Sequence, residues 1–129
     1  MEIELQNNLF DKYPSLFSNK DKTIMQSCMS WGLECGPGWY SIIESVCGLI
    51  QQHEENKKDD STYFPVKFDQ VKEKYGGLRI YFSGGDEYVE GIINMAEAVS
   101  YNTCEVCGNS GRPNEAGWIS TRCEEHRSS

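Results

Sequence analysis

The pattern that most restricts this chain lies near its end. It reads Cys104-Glu105-Val106-Cys107, fifteen further residues, then Cys123-Glu124-Glu125-His126, or C-x2-C-x15-C-x2-H. Two residues between ligands let one tight turn present both side chains to a single ion. Thiolate and imidazole are the donors a tetrahedral zinc ion takes. Gly108, directly after the second thiolate, frees the backbone to turn its N–H groups towards charged sulfur. Gly111, Pro113 and Gly117, followed by Trp118-Ile119-Ser120-Thr121-Arg122, predict a loop and a short strand that return the chain to the metal. A disulfide between Cys104 and Cys107, or between Cys107 and Cys123, leaves both the spacing and His126 without a reason. The expected cofactor is one structural Zn2+ held by Cys104, Cys107, Cys123 and His126. Four protein ligands close the coordination shell, whereas catalytic zinc keeps a position for water.

The rest of the composition agrees with a cytoplasmic location and a reducing compartment. The opening Met1-Glu2-Ile3-Glu4-Leu5 is acidic and lacks the basic and apolar regions of a secretory leader. No run of about 18 apolar residues is present, so no membrane span is expected. Net charge is −8, with 20 acidic residues against 12 basic ones, which disfavours a chain whose main task is coating nucleic-acid phosphates. At 129 residues the chain makes one domain, or one domain with a small appendage. The expected division is an α/β body over 1–103, with a polar linker at 54–60, and a zinc-binding module over 104–126, forming one unit.

Hydrophobic periodicity outlines the body. Leu5, Leu9 and Tyr13 share a helical face that Pro14 stops. Trp39, Ile42, Ile43, Val46 and Ile50 repeat at helical spacing behind Pro37 and predict the main core helix, fading through Gln51-Gln52-His53. Leu78-Arg79-Ile80-Tyr81-Phe82 alternates with period two, as a half-buried strand does. A hairpin about Gly76-Gly77 is expected, although Gln70–Tyr75 is also compatible with a helix. Val89, Ile92, Ile93, Ala96 and Val99 mark a second amphipathic helix with Asp86 as its N-cap. The predicted fold class is α+β: two amphipathic helices on a small antiparallel sheet or hairpin, with a C-terminal zinc ribbon or knuckle.

Other constellations carry less. Cys47 and His53 lie six apart on one predicted helix and point to different faces, which argues against a second metal site. Cys28 and Cys47 read as buried thiols, whereas Cys35 sits in a Gly-Pro turn where exposure is open. Between Val66 and Ile80, Lys67, Lys72, Lys74 and Arg79 outnumber Asp69 and Glu73. Together with Tyr75, Tyr81 and the junction Ser83-Gly84-Gly85, this makes Lys72, Lys74, Tyr75, Arg79, Tyr81, Ser83, Gly84 and Gly85 the candidate ligand site for a nucleotide-like or phosphorylated molecule. Asp86 and Glu87 already occupy the positive helix end there, which weakens an anion site. The bland alternative is a solvated hairpin edge plus a capped helix. No catalytic residue is assigned. The H-x-E and P-C-x-x-C elements of zinc deaminases are missing, and His53 has no matched nucleophile.

Three stretches resemble a family of small tailed-phage and prophage proteins with a zinc-finger-like C-terminal block. They are Trp31-Gly32-Leu33-Glu34-Cys35-Gly36-Pro37-Gly38-Trp39, Val71 to Arg79 continuing through Ser83-Gly84-Gly85-Asp86, and Cys104 to His126. The resemblance spans about residues 9 to 126. It implies a phage accessory protein made in the cytoplasm of a bacterial host, and it transfers no functional residue beyond the metal ligands. Such accessory proteins commonly act by binding. The leading expectation is a non-enzymatic host-interaction protein that inhibits antiviral defence by binding a defence protein or sequestering a small nucleotide signal. The alternatives are a zinc-ribbon nucleic-acid-binding regulator and an accessory enzyme acting on nucleic acid. Self-association into a homo-oligomer is left open.

Overall fold

The computed structural model describes residues 1–22 and 28–127. Helix α1 (Ile3–Lys12) runs into two short 3-10 turns, Ser18–Asp21 and Cys28–Trp31. The short strand β1 (Leu33–Glu34) follows, then a 3-10 turn at Pro37–Trp39 that opens helix α2 (Tyr40–Asn56). Strands β2 (Lys67–Lys74) and β3 (Gly77–Ser83) lead to helix α3 (Glu87–Ser100), and β4 (Arg112–Pro113) and β5 (Thr121–Arg122) form the terminal ribbon. The α+β class is as expected. Among the described residues no helix is long and apolar enough to cross a membrane.

The hairpin forms because its turn chemistry and its alternation agree. Lys74 pairs with Gly77 across a two-residue turn in which Tyr75 (φ 53°) and Gly76 (φ 84°) both have positive φ. That twist matches the right-handed twist of the flanking strands. Gln70–Tyr75 is therefore strand and turn, and the helical alternative is excluded. The sheet is mixed, not purely antiparallel, since β1 adds to the outer edge of β2 in parallel, with Leu33 opposite Val71. A bulge shifts the register between Phe68 and Gln70. Buried Asn19 supports it, donating from Nδ2 to the Phe68 carbonyl at 3.2 Å and to Asp69 Oδ1 at 3.0 Å.

α3 packs on β3, and α2 packs alongside α3. Trp39, at the end of the turn that opens α2, and Ile43, Val46, Cys47 and Ile50 on α2 enter a core completed by Leu9, Phe17, Phe68, Val71, Leu78 and Val89. Each fully buried aliphatic or phenyl side chain there contributes roughly 1.5–3 kcal/mol. Two expectations need correction. α2 does not fade at His53 but continues to Asn56. Glu54, read as linker, accepts hydrogen bonds from Tyr63 Oη (2.7 Å) and the Val66 N–H (2.8 Å), tying the helix end to the approach to β2. On α3 the core face is Val89, Ile93, Ala96 and Ser100, whereas Val99 is 37% exposed. Ser100 belongs inside because its Oγ donates to the Glu97 carbonyl and accepts from the Leu78 N–H at 2.9 Å, so no polar atom is stranded.

Candidate metal centre

After α3 the chain turns through Tyr101-Asn102-Thr103 and enters a knuckle. Gly108, at φ 85°, closes it by donating its N–H to the Cys104 carbonyl at 2.9 Å. The Cys104 N–H is held by the Asn109 carbonyl at 2.7 Å. β4 and β5 then pair antiparallel, Pro113 with Thr121, and bring the chain back to Cys123 and the 3-10 turn Glu124–His126. The loop between them is organised by Asn114. Its side chain donates to the carbonyls of Ala116 and Trp118 (2.8 and 2.7 Å) and accepts from the Ser120 N–H (2.7 Å).

The four sequence-predicted ligands converge. Cys104 Sγ, Cys107 Sγ, Cys123 Sγ and His126 Nδ1 lie within 4.8 Å of one another, which makes this a candidate metal site. A tetrahedral ion about 2.3 Å from sulfur and 2.0–2.1 Å from nitrogen requires edges of about 3.8 Å between sulfurs and about 3.6 Å between sulfur and nitrogen. The Cys107–Cys123 sulfur separation is 3.7 Å, and His126 Nδ1 stands 3.8 Å from Cys104 Sγ and 3.2 Å from Cys123 Sγ. The donor set fits a metal. Burial pushes the Cys104 thiol up, but backbone N–H groups of Cys123, Cys107 and Val106 together outweigh it and bring it down to about 6. Donors aimed at sulfur in this way stabilise thiolate, the form that binds metal. Three sulfurs this close repel one another once ionised, and a cation is what lets all three carry charge together.

The knuckle is seated on the body by the Gly36-Pro37-Gly38 turn. Gly36 and Gly38 donate their N–H groups to Glu105, to Oε2 at 2.8 Å and to the carbonyl at 2.7 Å. Trp39 Nε1 donates to the Thr103 carbonyl at 2.9 Å. Neither glycine tolerates a side chain. A Cβ on Gly36 would run into the Glu105 carbonyl oxygen, and one on Gly38 would run into that of Cys104. The β2–β3 turn presses on the other flank, where the buried Thr121 hydroxyl donates to the Gly76 carbonyl at 2.6 Å. Burial of Glu105 raises its carboxyl pKa, and the Gly36 N–H partly counters that. Sequence reasoning missed this seat. Its signal was a pair of glycines flanking a proline directly before a core tryptophan.

The candidate ligand residues do not gather in one place. Lys74 and Tyr75 sit at the hairpin turn, and Ser83-Gly84-Gly85 sits at the opposite end of β3, roughly 25 Å away along the strand. Arg79 is engaged internally, with Tyr101 Oη at 3.1 Å and Glu97 at 3.7 Å. Lys72 faces Arg79 across the hairpin, and Tyr81 pairs with Gln70 and is 43% exposed. The Gly85 N–H is spent on the Phe64 carbonyl at 2.8 Å, and a Cβ on Gly84 would strike the Pro65 carbonyl. That pair of glycines therefore serves a close backbone approach. Asp86 caps α3 as expected, accepting from the Val89 N–H at 3.2 Å, and its second oxygen meets His53 Nε2 at 2.8 Å. His53 is stacked on Tyr88 with ring centroids 4.3 Å apart.

What the turn does assemble is a slot of about 380 Å³ lined by Lys72, Glu73, Lys74, Tyr75, Gly117, Trp118 and Ile119. Trp118, 87% exposed, was not anticipated as a site residue. Cys28 is exposed, contrary to expectation, whereas Cys47 is buried as expected. Cys35 is buried as well, because the Gly-Pro turn that holds it lies under the knuckle, and burial pushes its thiol up to about 12. Among the described residues Cys28, Cys35, Cys47 and His53 form no second metal cluster. Comparison with protein-family models, curated proteins and solved structures finds no match.

Proposed function

We propose that the protein is a non-enzymatic binding protein whose C-terminal knuckle is fixed by one structural zinc ion on Cys104, Cys107, Cys123 and His126. The observation that carries this reading is the convergence of three sulfurs and one imidazole within 4.8 Å of one another. Thiolate-rich sites of this kind select zinc among the common cytoplasmic divalent ions, and four protein donors complete its shell. Bound there, zinc would supply cross-linking and charge neutralisation, and the chemistry of the site ends with that. Metal analysis should return one zinc per chain. A stoichiometry well below one with all cysteines reduced overturns the assignment.

The phage-family resemblance supports a narrower reading, a host-interaction protein that inhibits bacterial antiviral defence by binding a defence protein or a nucleotide signal. Sequestration of a nucleotide predicts a rise in melting temperature with cyclic dinucleotides or NAD-derived nucleotides. A flat response across that panel leaves a protein target. One observation favours a nucleic-acid-binding regulator as the second reading: exposed Tyr75 and Trp118 border one slot with Lys72 and Lys74. Aromatic platforms beside lysines suit single-stranded bases and their phosphates. That reading requires salt-sensitive DNA or RNA binding, and binding absent at low salt ends it.

A further inference from the structure

α2 and α3 each bury one apolar arc and leave a second one outside. Leu49 (45% exposed), Tyr88 (53%), Met95 (66%) and Val99 (37%) are large apolar or aromatic side chains on this outer side. With Ile42 and Ile92 they border a groove of about 660 Å³ between the two helices. Between them the floor is built of small residues, Ser41 and Ser45 on α2 and Gly91 and Ala96 on α3, with Val46 beside them and Glu87 as the one charged residue of the lining.

Gly91 is the informative residue. It sits inside a 14-residue helix, where glycine costs about 1 kcal/mol relative to alanine. Nothing lies within 4 Å of where its Cβ would stand, so no contact inside the molecule requires glycine there. A missing side chain facing an apolar trough is what close approach of a backbone from outside requires.

The chemistry of the incoming segment follows from charge. Neither α2 nor α3 carries lysine or arginine, and of their six glutamates Glu44, Glu54, Glu55 and Glu97 are engaged elsewhere, with Lys12, with Tyr63 and the Val66 N–H, with Lys58 and with Arg79. Glu87 itself lines the groove. A second copy of the chain would bring two such helix pairs face to face at a net charge of −8 each. A basic segment instead gains from the same field. The groove lining runs from Glu87 to Val99 along α3, about 18 Å, and from Ser41 to Leu49 along α2, about 12 Å.

We propose that this groove docks an amphipathic basic helix of a partner protein. The helix lays apolar residues at i, i+3 or i+4, and i+7 against Leu49, Ile92 and Met95, crosses closely at Gly91, and sets a lysine or arginine against Glu87 in the field of a chain of net charge −8. This deepens the reading of the molecule as a binding protein, on which it rests, and no groove residue belongs to the metal knuckle.

The test uses the full zinc-loaded chain and two amidated peptides of about 14 residues with leucine at the i, i+3, i+4, i+7 positions. One carries lysine elsewhere and the other glutamate, and binding is read by fluorescence anisotropy. The lysine peptide should bind at least about tenfold tighter than the glutamate peptide. Gly91→Leu, which fills the trough without altering charge, should weaken the lysine peptide by a similar factor. Gly91→Leu has open space for its side chain, and an unchanged circular dichroism spectrum confirms that it folds. Equal binding of both peptides overturns the proposal, as does lysine-peptide binding indifferent to Gly91→Leu. A wild-type dimer in solution that Gly91→Leu dissociates also overturns it, in favour of a second copy. Metal content is measured on the same samples, so a chain with one zinc and no peptide binding defeats this inference while leaving the structural-zinc assignment standing.

Discussion

Gly38→Ala offers a sharp test of how the knuckle is held. A Cβ at this position overlaps the Cys104 carbonyl oxygen and would lie 2.6 Å from the Glu105 carbonyl carbon and 2.7 Å from its oxygen, where real contacts stay beyond 3.0 Å. All of these are backbone atoms of the first metal-binding turn, so no flexible side chain can yield. The knuckle must retreat by several tenths of an ångström or more. Three hydrogen bonds cross this seam, from the N–H groups of Gly36 and Gly38 and from Trp39 Nε1. At about 0.5–1.5 kcal/mol each, their loss sums to roughly 2–4 kcal/mol. For a domain of this size that is a drop in melting temperature of roughly 8–15 °C. Thermal denaturation followed by circular dichroism on zinc-loaded protein measures it. Gly91→Ala serves as the control. Its Cβ enters open space, so it should stabilise by about 0.5–1 kcal/mol. If Gly38→Ala melts within about 2 °C of the parent, the glycine is no seat for the metal turn and the close approach described above is wrong.

Three further substitutions probe neighbouring contacts. Thr121→Val removes the donor to the Gly76 carbonyl at a fully buried position and should cost about 1–3 kcal/mol in chemical denaturation. Tyr75→Asn should stabilise by about 1 kcal/mol, because asparagine accepts positive φ more readily than tyrosine, while weakening any ligand that stacks in the Tyr75–Trp118 slot. The Asp86 carboxyl is held below its ordinary value, first by the hydrogen bond with His53 and also by the Val89 N–H, against the opposing effect of burial. A depressed carboxyl pKa contributes stability that is fully present above the ordinary value of 3.8 and lost as pH falls through the folded one. The stability gap between the parent and Asp86→Asn should therefore narrow in acid below about pH 4.

The parts of the molecule that were legible in the sequence are those written in short-range spacing. The ligands of the metal site needed only the two x2 intervals, and α1, α2 and α3 needed only the recurrence of apolar residues. What spacing cannot express is which of two apolar arcs a helix turns inward. α3 offers Val89, Ile93 and Ala96, and beside them Tyr88, Ile92, Met95 and Val99. Ser100 joins the buried arc because the Leu78 N–H at the start of β3 needs an acceptor. Strand β1 was illegible for a related reason. Two residues in a glycine-rich turn have no period, and only the edge of β2 makes Leu33-Glu34 a strand. The end of α2 was hidden because Glu54 and Glu55 read as solvent-loving, although Glu54 is fastened to Tyr63 and Val66.

Two turns from separate parts of the chain meet at the knuckle, and this couples metal to binding. Gly36-Pro37-Gly38 and Tyr75-Gly76-Gly77 grip the knuckle from two sides, yet the knuckle supplies little apolar burial of its own. Cys104, Thr121 and Cys123 are buried, whereas Trp118 and Ile119 face outward. If a metal on Cys104, Cys107, Cys123 and His126 holds a module so poor in core, stripping it should release the loop that carries Trp118 while α2, α3 and the β2–β3 hairpin retain their own core. Ligands that use the Tyr75–Trp118 slot then lose affinity on chelation, and a helix docked between α2 and α3 does not. Chelator sensitivity thus separates the two candidate surfaces, and it does so without knowledge of the partner's name.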